Sequence, residues 1–394
     1  MPVISERFFV TRDGLGMQLL TTPSPLEQEY EAEKARPLST LAYERLFEKL
    51  WTKVVVVFGL SERQETSKSM SVGIVNQPVS QSARQRGGSP RTPLPPLLFV
   101  HGSYHSAWCY AEQFLPMFSK LGYTCYAVSL RGTAPTGMAA TSKGAQTVRI
   151  EEHVSDLTEV LEYIKTASGS SSSEVRPVVI AHSFAGVVAM KLLESPQVRA
   201  GLGGVCFLCS VPPSGNGPMT LRFLHTNFFA SLKIVYGFVL KAITFDPAVA
   251  RELLFDESFA DSDLARYLQR FKADSKVVLD LPSLARVLPS VTSTGPDGRA
   301  TWLDEGGARP QLMVLGGEND FIVDQPGVVE TARYCGVDAQ FLPGGYHDLM
   351  LGNKAEPTAE KISDWLRLNV LAGVASNTPT PPPPQPPQLK NQAR

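Results

Sequence analysis

The stretch Pro177-Val178-Val179-Ile180-Ala181-His182-Ser183-Phe184-Ala185-Gly186-Val187-Val188 passes from an apolar strand pattern into a helical one across a single serine. A serine on such a sharp turn presents its hydroxyl above the sheet. Crowding there demands small residues two positions before and two after it. Glycine is the usual choice; here Ala181 and Ala185 hold those positions, and Gly186 follows. Ser183 is therefore the candidate nucleophile for acyl transfer. Phe184 begins the helix, so its N–H is a candidate donor to a developing oxyanion.

A second donor to the same oxyanion is expected upstream. His101-Gly102-Ser103-Tyr104-His105 follows the apolar run Leu97 to Val100, and Gly102 removes the side chain where the backbone must approach the serine. The N–H of Ser103 is the expected donor. His101 and His105 have a spacing of four, but they straddle a strand–loop junction containing glycine and have no glutamate beside them. No metal site is expected there.

A base and an acid are needed next. Strand Gln311 to Leu315 runs into Gly316-Gly317-Glu318-Asn319-Asp320, and Asp324 follows closely, so three carboxylates lie at or near a strand end. The run Ala339 to Leu342 ends in Pro343-Gly344-Gly345-Tyr346-His347-Asp348. A loop histidine after a glycine pair can swing its imidazole toward Ser183. His153 falls on a helix, His225 in an insertion, and His182 next to the serine, with its side chain expected in the packing of the sheet.

These loops must be carried by strands. Leu97–Val100, 124–130, 177–181, 205–209, 311–315 and 339–342 are short, apolar and separated by helical patterns, which predicts a mostly parallel sheet with helices on both faces. Between the second and third strands, Ile150, Val154, Leu157, Val160, Leu161 and Ile164 share one helical face. Glu151, Glu152, Asp156 and Glu159 fall mainly on the other.

Strand order, the serine turn and the His-Gly loop together resemble the α/β-hydrolase superfamily over about residues 97 to 372. The His-Gly-x-x-His-x-Ala-Trp run is similar to the branch holding plant methylesterases and hydroxynitrile lyases. Ser129-Leu130-Arg131-Gly132 resembles that superfamily's Asp-x-Arg-Gly-His-Gly segment, with Thr133 and Ala134 in place of His-Gly. The resemblance implies an α/β-hydrolase fold with a helical cap, here at about 213–305. It also implies the order nucleophile, acid, histidine, which makes Ser183, Asp320 and His347 the expected triad, with Glu318 and Asp324 as alternative acids. Lyases of the plant branch carry Thr after the loop histidine and Lys after the catalytic one; Gly102 and Asp348 stand there, against lyase chemistry.

The remaining zones are read from composition. Residues 1–60 suggest an early hairpin near Phe8 to Gly14 and an amphipathic helix from Leu41 to Trp51. Residues 61–96, rich in Ser, Gln, Arg and Pro, read as a flexible linker, and 373–394 as a disordered Pro-rich tail, a weak candidate for docking on a protein module. Within 394 residues, 43% are hydrophobic and the formal charge is −1. That leaves no electrostatic reason to expect nucleic acid.

No apolar run near the front approaches the roughly 20 residues of a membrane span, so no stable membrane insertion is expected. Five cysteines, an odd number, suit a reducing compartment better than a disulfide framework. Cys206 and Cys209 read as buried thiols. A cytoplasmic protein is favoured, with a plastid or mitochondrion as alternatives because Met70 opens a stretch resembling a transit peptide.

The expected function is hydrolysis of a carboxylic ester through an acyl-enzyme, without cofactor. The many apolar and aromatic residues between Phe223 and Phe255 suggest a small-molecule substrate with an apolar acyl or alcohol group, although they could equally pack the cap onto the core. Thioesterase, amidase or cofactor-free perhydrolase chemistry, or a receptor that keeps the pocket, would use the same residues.

Overall fold

In the computed structural model, residues 5–8, 73–76, 94–133, 147–167, 176–226, 232–274 and 278–372 are described. The strands are β1 (Ser5–Phe8), β2 (Gly73–Asn76), β3 (Leu97–Val100), β4 (Cys125–Ser129), β5 (Thr147–Val148), β6 (Val178–His182), β7 (Gly204–Leu208), β8 (Val278–Leu279), β9 (Gln311–Gly317) and β10 (Ala339–Leu342). Eight of them form one sheet in the order β1-β2-β4-β3-β6-β7-β9-β10, while β5 and β8 pair separately. From β4 to β10 every pairing is parallel. Strands β3, β4, β6 and β7 are buried throughout, as expected of parallel strands covered on both faces.

The main helices are α1 (Phe114–Lys120), α2 (Ile150–Ala167), α3 (Phe184–Glu194), α4 (Asn216–Thr226), α5 (Pro247–Leu254), α6 (Asp261–Asp274), α7 (Leu281–Val287), α8 (Gln325–Cys335) and α9 (Ala355–Trp365). The chain steps from β3 to β4 in one direction, then crosses back to β6 and continues the other way to β10. Because crossovers are right-handed, this reversal puts helices on opposite faces. Helix α1 packs with α9, and α2 packs with α3. The reversal lies between β3 and β6, and the crevice above such a point is where open α/β sheets bind ligands.

Helix α2 follows its periodicity: Ile150, Leu157, Val160, Leu161 and Ile164 are buried. Asp156 departs from the expected solvent face. It is buried and accepts from Arg131 Nε at 2.6 Å and Nη2 at 2.5 Å, while Glu152 accepts from Nη1 at 2.7 Å. The fork geometry of arginine, with both carboxylates facing it, makes burial tolerable. This pins the loop after β4 to α2, and Thr133 folds its hydroxyl back onto the Leu130 carbonyl at 2.8 Å.

One expectation for the front of the chain needs correction. The linker reading of 61–96 fails at Gly73–Asn76, because β2 lies in the main sheet, antiparallel to β4, pairing Ile74 with Val128 and Val75 with Ala127. Strand β1 pairs with this distant β2, and the hairpin expected near Phe8 to Gly14 lies, past Phe8, outside the described residues. Two apolar residues in a polar stretch are too weak a signal to betray a strand, yet the edge of β4 rewards any extended segment with backbone hydrogen bonds. The rest of 1–96 before residue 94, including the Leu41–Trp51 helix, and the tail from 373 fall outside the described residues.

Between β7 and β9 lies an insertion built from α4 to α7, a short π-helical turn (Val235–Val239) and smaller turns. No helix among the described residues is long and apolar enough to cross a membrane.

Candidate active site

Ser183 joins β6 to α3 with φ 55° and ψ −121°, a conformation that a non-glycine residue adopts only when its surroundings impose it. Those surroundings are clear. The Ser183 N–H donates to the Leu208 carbonyl at 3.0 Å, and its own carbonyl accepts from Gly186 at 3.0 Å and Val211 at 3.1 Å. The need for small neighbours is equally concrete. Ala181 and Ala185 are fully buried, and a Cβ on Gly186 would fall 1.8 Å from Ser210 Oγ.

The imidazole of His347, on the loop after β10, places Nε2 3.0 Å from Ser183 Oγ. Its Nδ1 lies 2.8 Å from Asp320 Oδ2. Asp320, after β9, is fixed in turn because its other oxygen accepts from the N–H groups of Ile322 at 2.7 Å and Val323 at 3.0 Å. All three residues are buried. With Nδ1–H given to the carboxylate, Nε2 is left as the acceptor for the serine proton.

The other two candidate acids are engaged elsewhere. Glu318 is exposed and accepts from the Gly344 N–H at 2.9 Å. Asp324 caps α8 through Gly327 and takes both arms of Arg222 at 2.7 and 2.9 Å.

The loop after β3 approaches the serine closely. A Cβ on Gly102 would lie 2.6 Å from Ser183 Cβ, so only glycine permits the contact. His101 sets the tautomer and the peptide. Its Nε2 accepts from the Leu130 N–H at 2.9 Å, which leaves Nδ1–H to donate to the Gly102 carbonyl at 2.7 Å. Burial pushes His101 down to about 3, so it stays neutral. Holding the Gly102 oxygen turns the N–H of Ser103, at the other end of the same trans peptide, to the opposite side. Among the described residues nothing accepts from the N–H of Ser103 or of Phe184.

His182 is buried, as expected of a residue packed into the sheet, and it also has a partner. Its Nε2 donates to the His347 carbonyl at 3.0 Å, and burial pushes its pKa down to about 3. Two neighbours had no signal in the sequence: His105 and Asp348 lie 3.0 Å apart, both buried, beside His182. Neither spacing nor pattern links positions 105 and 348, and only the fold brings them together.

Two groups of possible metal donors occur among the described residues, His182/His347/Asp348 and Cys209/Asp320/His347. Both depend on His347, whose nitrogens already face Asp320 and Ser183. Cys206 and Cys209 are buried free thiols, and burial raises both; Cys209 is raised further by the nearby Asp320 carboxylate.

Of the apolar insertion residues, Leu253, Leu254 and Phe255 are buried, and Phe255 stacks on Phe259 at 4.1 Å, so these pack the core. Phe228 and Phe229 fall outside the described residues. Phe238 remains partly exposed, edge-on to Tyr104 at 5.6 Å, with the Tyr104 hydroxyl donating to the Phe238 carbonyl.

A family model described as the alpha/beta hydrolase family matches residues 97–361. No curated protein matches the sequence. Among solved structures, a putative aryl esterase from Burkholderia cenocepacia is similar at 17% identity and TM-score 0.50, over 77% of this chain and 96% of that one. A soluble variant of monoglyceride lipase from Saccharomyces cerevisiae, in complex with a substrate analogue, is similar at 15% identity and TM-score 0.50, over 78% and 95%. At such identities the likeness concerns the fold.

Proposed function

The chain belongs to the alpha/beta hydrolase family, and from that premise we propose that it is a serine hydrolase cleaving a carboxylic ester of apolar character through an acyl-enzyme. The observation that carries this reading is the unbroken chain Ser183–His347–Asp320, with contacts of 3.0 and 2.8 Å.

In this mechanism Ser183 Oγ attacks the ester carbonyl while His347 Nε2 takes its proton, and Asp320 stabilises the imidazolium. The negative charge moves onto the former carbonyl oxygen, which faces the N–H groups of Ser103 and Phe184. The N-terminus of α3 adds its partial positive charge. Collapse of the intermediate breaks the bond to the alcohol, which leaves with the proton from His347. Water, deprotonated by the same imidazole, then releases the acid and restores Ser183.

The insertion acts here as a cap, and Phe238 with Tyr104 supplies apolar surface near the oxyanion loop. That surface favours an apolar small-molecule ester. Thioesters and amides could enter the same machinery, and a receptor could keep it without turnover.

Labelling with a fluorophosphonate probe tests the reading. Labelling of the wild type that disappears in Ser183→Ala is expected; an unlabelled wild type would overturn it. An ester series of increasing acyl length tests the substrate class, and hydrolysis confined to acetyl esters would refute it.

A further inference from the structure

His105 has two ring nitrogens and both face acceptors. Nδ1 lies 2.8 Å from the Ser103 carbonyl oxygen, and Nε2 lies 3.0 Å from Asp348 Oδ2. A carbonyl oxygen cannot donate, and an ionised carboxylate cannot either, so each nitrogen must bring its own hydrogen. We propose that His105 is a buried imidazolium paired with the carboxylate of Asp348, and that this ion pair positions the oxyanion loop against the loop of His347. Its catalytic consequence rests on the hydrolase reading above.

The surroundings favour a charged ring. Trp108 stacks on His105 with centroids 5.6 Å apart. An aromatic face attracts a cation more than a neutral imidazole. Asp274, which accepts from Trp108 Nε1 at 2.8 Å, adds negative charge nearby. Burial by itself pulls His105 down, but Asp348, the Ser103 carbonyl and Asp274 together hold it above its ordinary value. Burial likewise opposes ionisation of Asp348, yet His105, His182 and His347 hold it below the usual carboxylate range.

The pair is placed to transmit position. Its imidazolium fixes the carbonyl of Ser103, whose N–H is the proposed oxyanion donor. Its carboxylate belongs to the residue next to His347, and the Asp348 N–H donates to the Leu254 carbonyl at the end of α5 at 3.1 Å. On the other side, His182 holds the His347 carbonyl. The proposed base and the proposed oxyanion donor are thus spaced through one ion pair joining loops that are far apart in sequence. His105 and Asp348 are positioning residues, because neither touches Ser183.

The test uses the full chain labelled with nitrogen-15 in histidine. At pH 7 two protonated ring nitrogens are expected for His105, assigned by loss of the signals in His105→Gln. A single protonated nitrogen would overturn the ion pair. In Asp348→Asn, fluorophosphonate labelling of Ser183 should slow by about 100-fold, the scale of a displacement of about 1 Å in the machinery. In steady state the loss should appear in kcat with KM little changed. If that variant does not fold, the double variant His105→Gln/Asp348→Asn carries the test, because it leaves no unpaired charge. Slow labelling in a cooperatively folded double variant supports the positioning role, and wild-type labelling in it refutes that role. Should the wild type take no probe, the hydrolase reading falls, and the nitrogen spectrum still decides the ion pair.

Discussion

A methyl group placed on Gly102 would stand 2.6 Å from the Cβ of Ser183. Real Cβ atoms do not approach so closely, so the loop after β3 touches the turn after β6 through the bare backbone of Gly102. Gly102→Ala must therefore push the Ser103 N–H away from the serine. The expected result is a folded protein whose ester turnover falls about 10²–10³-fold, the loss seen when one oxyanion donor is removed. Circular dichroism and kinetics on one preparation check it, and turnover near wild type would remove Ser103 from the proposed machinery.

Ser183→Ala removes the proposed nucleophile but leaves the pinned main chain, so the thermal midpoint should hold while turnover drops by about 10⁶. A variant retaining ester hydrolysis would mean that another group attacks.

Asp320→Asn is expected to slow turnover by about 10⁴ without unfolding, because the amide cannot stabilise the imidazolium. Glu318→Gln should do little. Asp324→Ala should lower stability by about 1 kcal/mol through a lost helix cap, with kcat intact. Denaturant melts and kinetics of the three variants separate these roles, and a loss of rate in Glu318→Gln alone would transfer the acid to that residue.

Much of this was readable in the sequence, for identifiable reasons. Buried parallel strands such as Val178–His182 are apolar on both faces, so they stand out as runs. Ser183 and His347 stand on turns whose small neighbours mark them. Gln311–Gly317 fixes where a carboxylate can emerge, although the strand alone does not choose among Glu318, Asp320 and Asp324, and the expectation of Asp320 came from the family resemblance. What escaped depends on contact between distant positions. Asp156 looks like a solvent-facing helix residue until Arg131 is brought to it. Asp348 looks like a loop charge until His105 arrives from the loop after β3. Strand β2 has Ile74 and Val75 alone to announce it.

Acid should destabilise the fold through histidines buried in the neutral form. His101, His153 and His182 are each pushed down to about 3, by burial first. Unfolded, a histidine takes up its proton near pH 6.5. Each of the three thus contributes stability above about pH 6.5 that is lost progressively as pH falls toward 3, at about 1.4 kcal/mol per unit. Asp348, held low, works in the same direction at lower pH. His105, held high, works oppositely and weakens the fold as pH rises past its own value. Thermal midpoints should fall steeply between pH 6.5 and 4. Nδ1 of His153 has no partner among the described residues, so His153→Leu should make that decline shallower. An unchanged slope would mean that His153 is not neutral in the fold.

The antiparallel addition of β2 to β4 has a practical corollary for anyone shortening this protein to its family-matched portion. Cutting away everything before Leu94 strips the cover from a strand whose amide and carbonyl groups are satisfied by Gly73–Asn76. A bare, apolar rim of that kind recruits whatever extended chain is nearby, including another copy of itself. Such a shortened protein should self-associate with rising concentration in light scattering, while the 394-residue chain at the same concentration should not.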